Sequence, residues 1–208
     1  MFFQNTLTTE QELNALIGKP SELVQRKTID IIDDHCKRFI SMSPFLIIST
    51  SDDQGACDAS PRGDAPGFVH VLDEKHLIIP ERPGNKRMDS LRNILANDRI
   101  GLLFLIPSLG ETLRINGTAS IVKDEELLTR MAVRGKRPLL GIGVRIEECF
   151  VHCAKSIKRS KLWNSDTWPD TEVLPSAAKM LTDHAKLDGM DERAMKDRLE
   201  KGYREKLY

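Results

Sequence analysis

The chain has 208 residues, and its 31 Lys and Arg side chains are balanced by 31 Asp and Glu, so its formal net charge is zero. This length fits one domain with a helical appendage and is sufficient to bury a proper core. Balanced charge provides no global field that would attract nucleic acid or an anionic membrane. No apolar run approaches the roughly 20 residues of a membrane-spanning helix, and no signal-peptide pattern is present, so we expect a soluble cytoplasmic protein.

The four cysteines are too few and too scattered for the disulfide framework of a small secreted domain, so reduced thiols are expected. Cys149, His152 and Cys153 resemble a set of metal ligands in their residue types. Positions four apart share one face of a strand, however, and His152 would point to the other face. Small core thiols are the favoured interpretation, and no metal is expected.

Helical patterns occupy both ends of the chain. Thr9, followed by Glu12, fits a capping box, and apolar residues then recur at helical spacing from Ser21 to about Ile40. Pro44 ends this second predicted helix. From Pro175 onward the pattern is again mostly helical, and this segment is expected to pack on the rest of the protein or on a partner subunit and not to bind an outside target.

Between these ends, the apolar pattern changes to that of β-strands. The predicted strands cover residues 45–50, 56–62, 68–72, 76–79, 100–106, 112–122 and 139–153, and a hairpin turn at Asp52–Gly55 joins the first two. Tight turns join most of them, which favours a mainly β fold with flanking helices in which about six antiparallel strands form a closed or partly open barrel. A parallel doubly wound sheet is not expected, because no G-x-G-x-x-G motif follows the first strand.

The segment from Leu77 to Leu91 runs from a buried-looking strand through a Pro/Gly turn into a helix that we expect to begin near Lys86. A helix N-terminus leaves several N–H groups unpaired and carries partial positive charge, so it binds anions readily. Gly84 would let the backbone come close to a phosphate, and Asn85 is a favoured N-cap residue. Lys86 and Arg87 would add positive charge, and Ser90 would donate a hydroxyl group. The alternative is a solvated basic face that Glu81 and Asp89 balance.

Several motifs together resemble the FMN-binding split barrel of the pyridoxamine 5′-phosphate oxidase type, most closely its branch of FMN-dependent enzymes without an assigned substrate. The motifs are Ser60–Asp64, Pro66–Val69, Pro80–Arg87, Glu111–Gly117, His152–Lys155, Arg159–Ser160 and Trp163. The resemblance implies a six-stranded antiparallel Greek-key split β-barrel over residues 43–163. Residues 1–42 would then form an N-terminal helical segment, and residues 164–208 a C-terminal helical extension.

The resemblance also implies a set of FMN-binding residues. Those that match the family positions near the flavin ring, the ribityl chain and the phosphate are Arg62, Ile79, Pro80, Glu81, Asn85, Lys86 and Arg87. Asn85 replaces the usual serine but can still cap a helix. Thr112 falls where the oxidase has a glutamine from the second subunit, and Lys155 and Trp163 lie in the region that closes over the isoalloxazine from that partner.

Each of these residues also has a purely structural interpretation. Arg62 can be a strand-end surface arginine, Thr112 a residue on the wet face of its strand, Lys155 a surface charge and Trp163 a cap over the barrel core. A site for FMN needs cations and N–H groups for the phosphate, polar partners for the ribityl chain and apolar walls for the ring. The full set of residues supplies all three.

The resulting expectation is a homodimeric FMN-dependent oxidoreductase with FMN at the subunit interface, a small-molecule substrate and NAD(P)H as a candidate donor. Oxidation of pyridoxamine phosphate itself is not expected, because Tyr203–Tyr208 stands where the oxidase has its Arg-x-His substrate segment. One alternative is a flavin-binding carrier, sensor or stress-related protein without turnover. Another is a relative that binds a deazaflavin or haem in the same barrel.

Overall fold

The computed structural model describes residues 2–208. Its α-helices are α1 (Glu10–Ile17), α2 (Glu22–Arg26), α3 (Asp34–Met42), α4 (Asp89–Ala96), α5 (Glu125–Arg130), α6 (Lys155–Ser160), α7 (Ala177–Ala185) and α8 (Glu192–Glu205). Short 3-10 helices cover Ser165–Thr167 and Thr171–Val173. Over the described residues, every helix is too short or too polar to traverse a lipid bilayer.

The strands form one antiparallel sheet. They are β1 (Phe45–Ser51), β2 (Cys57–Gly63), β3 (His70–Val71), β4 (His76–Pro80), β5 (Arg99–Leu105), β6 (Thr112–Val122) and β7 (Gly141–His152), in the spatial order β2-β1-β5-β6-β7-β4-β3. The expected mainly β antiparallel architecture with flanking helices is confirmed. The strand number is seven rather than six, although the strand predicted over residues 68–72 is reduced to the two-residue β3 beside β4. Within residues 2–208, backbone hydrogen bonds do not close the sheet into a barrel.

The core lies on one face of this sheet. Alternate residues of β1 and β5, such as Leu46, Ile48, Leu102 and Phe104, are buried together, as the two-residue period of a strand requires. Helices α3 and α4 contribute further apolar side chains to the same cluster. Each large apolar side chain buried in this way contributes about 1.5–3 kcal/mol to folding.

The helix expected from Ser21 to Ile40 is interrupted. Helix α2 ends at Arg26, and α3 begins after Asp33, whose side chain accepts a hydrogen bond from the Cys36 N–H at 2.8 Å. Between them Ile29 pairs with Cys149 of β7 through two backbone hydrogen bonds of 3.0 and 2.6 Å. This pairing between residues distant in the chain outweighs the local helical spacing and holds the N-terminal segment on the sheet.

Strand β6 has the bounds that the alternation of the sequence predicts, and its register with β7 shifts between Asn116 and Gly117, where Glu147 of β7 is the extra residue of a β-bulge. A Cβ atom added at Gly117 would stand 2.0 Å from the carbonyl oxygen of Arg145. The bulge therefore requires a glycine, because no side chain fits where the two backbones approach.

Candidate functional site

Two strand ends that are not neighbours in the sheet meet through their side chains. Arg62 lies near the end of β2, and Glu81 directly follows β4; Arg62 Nη2 lies 3.3 Å from Glu81 Oε2. Next to this pair, Arg82 Nε donates to Asp64 Oδ2 at 2.6 Å. The sheet therefore curls until the ends of β2 and β4 face each other. No backbone hydrogen bonds pair these two strands, and side-chain ion pairs connect their ends instead. We call this contact, formed by Arg62, Asp64, Glu81 and Arg82, the seam.

The seam and the helix beside it contain polar atoms that are buried and unpaired. Within residues 2–208, buried side-chain atoms without a hydrogen-bond partner are Arg62 Nε, Glu81 Oε2 and Ser90 Oγ. The Arg62–Glu81 contact provides charge attraction without hydrogen-bond geometry. Leaving a buried polar atom unpaired costs about 1–3 kcal/mol, and native proteins seldom tolerate it. These atoms are therefore suited to a polar ligand.

Local contacts hold each of these side chains in place. Arg62 Nη1 donates to Ser60 Oγ at 2.5 Å and to the Pro61 carbonyl at 3.0 Å, which leaves Nε–H free. Ser90 is 2% exposed and lies in the first turn of α4. That helix packs against β1 and β2, where Asn93 Nδ2 donates to Asp58 Oδ2 at 3.0 Å.

The end of β4 offers a ligand an apolar surface and no polar side chains. Ile79 is fully buried in the main core cluster, so its side chain packs inward. Pro80, also buried, closes β4 opposite Gly141 of β7. Neither side chain offers a hydrogen-bonding group, which limits both residues to shape and backbone contacts.

The expected helix start at Lys86 is wrong. Helix α4 begins at Asp89, after Met88 in a left-handed conformation with φ 60°, and Lys86 has φ 61°. Asn85 does not cap the helix, because its Oδ1 accepts the Arg87 N–H at 3.0 Å within the loop. The first turn of α4 is acidic, as the helix dipole favours, and Asp89 forms an ion pair with Arg87.

Lys86 and Arg87 therefore lie in an exposed loop just before α4 and not inside its first turn. Left-handed backbone at a residue other than glycine costs about 1–2 kcal/mol, and such conformations cluster at functional sites. An added Cβ at Gly84 would meet nothing within 4 Å, so the conformation of the loop itself does not demand that glycine. The role of this loop in phosphate binding stays a prediction.

The remaining predicted residues lie elsewhere. Thr112 opens β6 and is 8% exposed, so its assignment to a wet strand face is wrong. Lys155 is exposed at the start of α6, and Trp163 Nε1 donates to the Leu109 carbonyl at 2.8 Å. The residue after Thr112 is separated from Arg62 by three strand spacings along the sheet, roughly 14 Å. Within residues 2–208, no hydrogen bond or ion pair joins Thr112, Lys155 or Trp163 to the seam.

Tyr208 contacts the seam, although the sequence does not predict it as a site residue. Tyr208 O–H donates to Asp64 Oδ1 at 2.7 Å. Burial raises the pKa of Asp64, but the hydrogen bonds from Tyr208 and the Ala65 N–H, together with the Arg82 guanidinium, hold that pKa below its usual value. Asp64 belongs to the Ser60–Asp64 motif, yet nothing in the sequence connects it with a tyrosine 144 positions away.

The thiols differ in their surroundings. Cys149 is buried and its Sγ lies 3.3 Å from Cys36 Sγ, as suits a core thiol. Cys153 is exposed, so its assignment to the core is wrong, since β7 ends at His152. No cluster of three or more His, Cys, Asp or Glu side chains suited to a metal ion occurs within the described part of the chain.

The outer face of the sheet carries a second concavity. A groove of about 510 Å³ crosses β1, β2, β5 and β6, and it is lined in part by Asp58, Arg99, Arg114 and Asn116. Arg99 and Glu147 form an ion pair of 2.7 Å at its edge. The groove does not include the seam residues, so it is a separate feature of the surface.

Solved structures resemble this fold over about six tenths of the chain. They include HupZ from Group A Streptococcus (21% identity, 58% of this chain and 93% of that chain, TM-score 0.48). A putative pyridoxamine 5′-phosphate oxidase from Lactobacillus delbrueckii matches at 20% identity (59% and 95%, TM-score 0.46). HutZ, described as the heme storage protein from Vibrio cholerae, matches at 13% identity (59% and 94%, TM-score 0.42).

Comparison of the sequence with protein families gave a match that covers the strands whose ends form the seam. No curated protein matches the chain. The family model described as pyridoxamine 5′-phosphate oxidase matches residues 32–153, which is more than half of the chain and includes β1 to β7. This chain therefore belongs to the pyridoxamine 5′-phosphate oxidase family.

Proposed function

We propose that this chain is an FMN-binding flavoprotein that acts as an FMN-dependent oxidoreductase on a small-molecule substrate. The observation that carries the proposal is that, in the described part of the chain, the buried side-chain polar atoms without a hydrogen-bond partner belong to Arg62, Glu81 and Ser90. All three residues were selected from the sequence as candidate cofactor contacts. Residues 43–163 form the cofactor-binding unit in this proposal.

The chemistry of these groups fits the parts of FMN. A carboxylate oxygen at Glu81 accepts hydrogen bonds from hydroxyl groups such as those of a ribityl chain, and the Ser90 hydroxyl either donates or accepts. The Arg62 Nε–H donates to a carbonyl or anionic edge, and the buried Ile79 and Pro80 supply an apolar wall. Lys86 and Arg87 place two exposed cations next to the N-terminus of α4, where a phosphate is favoured.

Bound flavin would supply hydride or two-electron transfer, and the protein would supply position and electrostatics. Arg62 is anchored by Ser60 and Pro61, so its charge and its free N–H stay in one orientation. Glu81 balances that charge and limits the rotation of the guanidinium. The part of the seam around them is largely shielded from solvent, which strengthens each polar contact made there.

We also propose that the active form is a homodimer with the cofactor at the subunit interface. The outward positions of β1 and β5 carry partly exposed apolar residues, Phe45, Ile47, Leu103 and Leu105, where an antiparallel sheet facing water normally has polar ones. Covering this face with a second copy would bury them. The family resemblance implies that Lys155 and Trp163 close over the flavin of the partner, and a dimer would permit that contact, whereas Thr112 is 8% exposed and has little free surface to offer.

The test is the spectrum and redox behaviour of the purified protein. We expect a yellow protein that retains FMN, is bleached anaerobically by NADH or NADPH, and recovers its colour in air. A yellow protein that neither nicotinamide reduces favours the carrier or sensor function. A haem or deazaflavin spectrum favours those ligands. Colourless protein that also fails to bind added FMN contradicts the proposal.

A further inference from the structure

Tyr208 is fixed at the seam by contacts with four residues. Its hydroxyl donates to Asp64 Oδ1 at 2.7 Å, and its backbone oxygen accepts from Lys136 Nζ at 2.8 Å. The guanidinium carbons of Arg134 and Arg82 lie 5.0 and 5.8 Å from the centre of its ring, within the range of cation–π attraction. The polar tip, the ring and the backbone of this residue are therefore all engaged.

These contacts act on a buried ion pair. The Asp64 side chain is 2% exposed, and its Oδ2 accepts from Arg82 Nε while Arg82 Nη1 donates to the Met131 carbonyl at 2.9 Å. The other carboxylate oxygen, Oδ1, accepts from the Ala65 N–H at 2.8 Å and from Tyr208. Tyr208 thus completes the hydrogen bonding of the carboxylate.

A buried ion pair is stable only if its remaining donors and acceptors are satisfied. Without the Tyr208 hydroxyl, Asp64 Oδ1 would keep one protein donor in place of two. The pair with Arg82 would loosen, because a less well solvated carboxylate gains from reorientation toward water. Loosening of this pair would shift the proposed cofactor contacts Arg62 and Glu81, because Asp64 is two positions after Arg62 and Arg82 directly follows Glu81.

We propose that Tyr208 is a positioning residue of the cofactor site: by completing the Asp64–Arg82 pair, it fixes the spacing between Arg62 and Glu81 at which both side chains contact the flavin. The proposal rests on the proposed function. It assigns the segment after α8 a role in flavin affinity, although that segment follows the family-matched residues by more than fifty positions.

The docking of Tyr208 is tested first, without any cofactor. The chain has two tyrosines, so Tyr203→Phe leaves Tyr208 as the only one to titrate. The hydrogen bond to Asp64, burial and the nearby negative charge raise the pKa of Tyr208 above its usual 10.0. We expect tyrosinate absorbance to appear above this value, and Asp64→Asn to bring the titration back toward it. Titration at the ordinary value in both proteins would overturn the docking.

The effect on the cofactor is tested with Tyr208→Phe, which removes only the hydroxyl, and with Tyr203→Phe as the matched control on the exposed side of α8. A hydrogen bond to a charged group is worth about one factor of ten or more in an equilibrium constant, and only part of it reaches Arg62 and Glu81. We expect Tyr208→Phe to weaken FMN and riboflavin binding by the same factor, about fivefold, while Tyr203→Phe leaves both unchanged.

Equal losses for FMN and riboflavin separate this role from a contribution to the phosphate site, which would affect FMN alone. Circular dichroism and thermal unfolding of Tyr208→Phe show whether the protein is folded when affinity is measured. Affinities within about twofold of wild type would overturn the positioning role even if the tyrosine titration shows docking. Failure of the wild-type protein to bind FMN would instead refute the proposed function and this role with it.

Discussion

Arg62 and Glu81 stand at the ends of two strands that share no backbone pairing, yet Arg62 Nη2 lies 3.3 Å from Glu81 Oε2. Each of the two side chains keeps one buried polar atom without a hydrogen-bond partner. An ion pair that served stability alone would gain from satisfying both atoms. The arrangement is better suited to contacting a third group.

Removing the Arg62 side chain should weaken FMN binding at least about tenfold, because a hydrogen bond to a charged donor contributes about 1.5–3 kcal/mol. Arg62→Lys should recover little of this loss, since lysine lacks the planar fork that reaches Ser60, Pro61 and the ligand together. Quenching of flavin fluorescence measures the affinity. Arg26→Ala, on the exposed surface of α2, is the control and should bind as wild type does.

Ser90→Ala should separate stability from binding. The Ser90 hydroxyl is buried and unpaired, so its removal should leave the cofactor-free protein as stable as before or about 1 kcal/mol more stable, while FMN affinity falls. Ser43 is the matched control, because its buried hydroxyl lies 2.8 and 2.7 Å from the carbonyl oxygens of Phe45 and Leu105. Ser43→Ala should destabilise by about 1–3 kcal/mol. Urea unfolding measures the stability of both variants. Equal destabilisation by the two substitutions would contradict the role of Ser90.

The loop before α4 should discriminate FMN from riboflavin. In the double variant Lys86→Ala with Arg87→Ala, FMN affinity should fall about tenfold or more while riboflavin affinity stays constant, because only FMN has a phosphate for these cations to contact. The control removes an exposed basic pair from α8, Lys196→Ala with Arg198→Ala. Unchanged FMN binding in the loop variant would place the phosphate site elsewhere.

Gly117→Ala should be among the costly substitutions in the sheet. Its new Cβ would stand 2.0 Å from the Arg145 carbonyl oxygen, so β6 and β7 must separate at the bulge, with an expected loss of about 3 kcal/mol. Gly202→Ala in α8 meets no atom within 4 Å and should instead stabilise by about 0.5–1 kcal/mol. Thermal unfolding of the two variants gives opposite signs if the backbone contact at the bulge is as close as described.

Acid should destabilise the seam through Asp64. Its pKa is lowered in the folded protein, so the unfolded chain takes up the proton first as the pH falls. The stabilisation is therefore fully present above about pH 4 and is lost as the pH falls through the folded-state pKa. Asp64→Asn should be less stable than wild type at neutral pH, since Arg82 loses its charged partner, but should lose less on acidification. Urea unfolding near pH 7 and pH 3 makes this comparison.

Local patterns predicted several elements correctly. The bounds of β6, the hairpin that joins β1 to β2 around Gly55, and the capping box of Thr9 and Glu12 are all present as expected. Each depends on side-chain alternation, turn chemistry or capping between residues close in the chain. The sequence also indicates Arg62, Glu81 and Ser90 as candidate cofactor contacts, and their role in binding stays a proposal.

The wrong predictions of helix bounds occur where contacts between distant residues or unusual backbone conformations set those bounds. Helix α4 starts at Asp89 because Lys86 and Met88 adopt left-handed conformations, which residue type alone does not indicate. The predicted helix over residues 21–40 is interrupted because Ile29 pairs with Cys149, a partner far along the chain. Helical spacing of apolar residues cannot reveal a backbone that is already engaged by a strand.

The amino-acid sequence by itself determined the strands, the family and the residue types that suit a flavin. Only the tertiary structure decided that Arg62 meets Glu81 and that Tyr208 reaches Asp64. The reason is physical: alternation and capping report interactions over a few residues, whereas the seam depends on how far the whole sheet curls. That curvature arises from the twist summed over all its strands and from the side chains packed within, so no single segment encodes it.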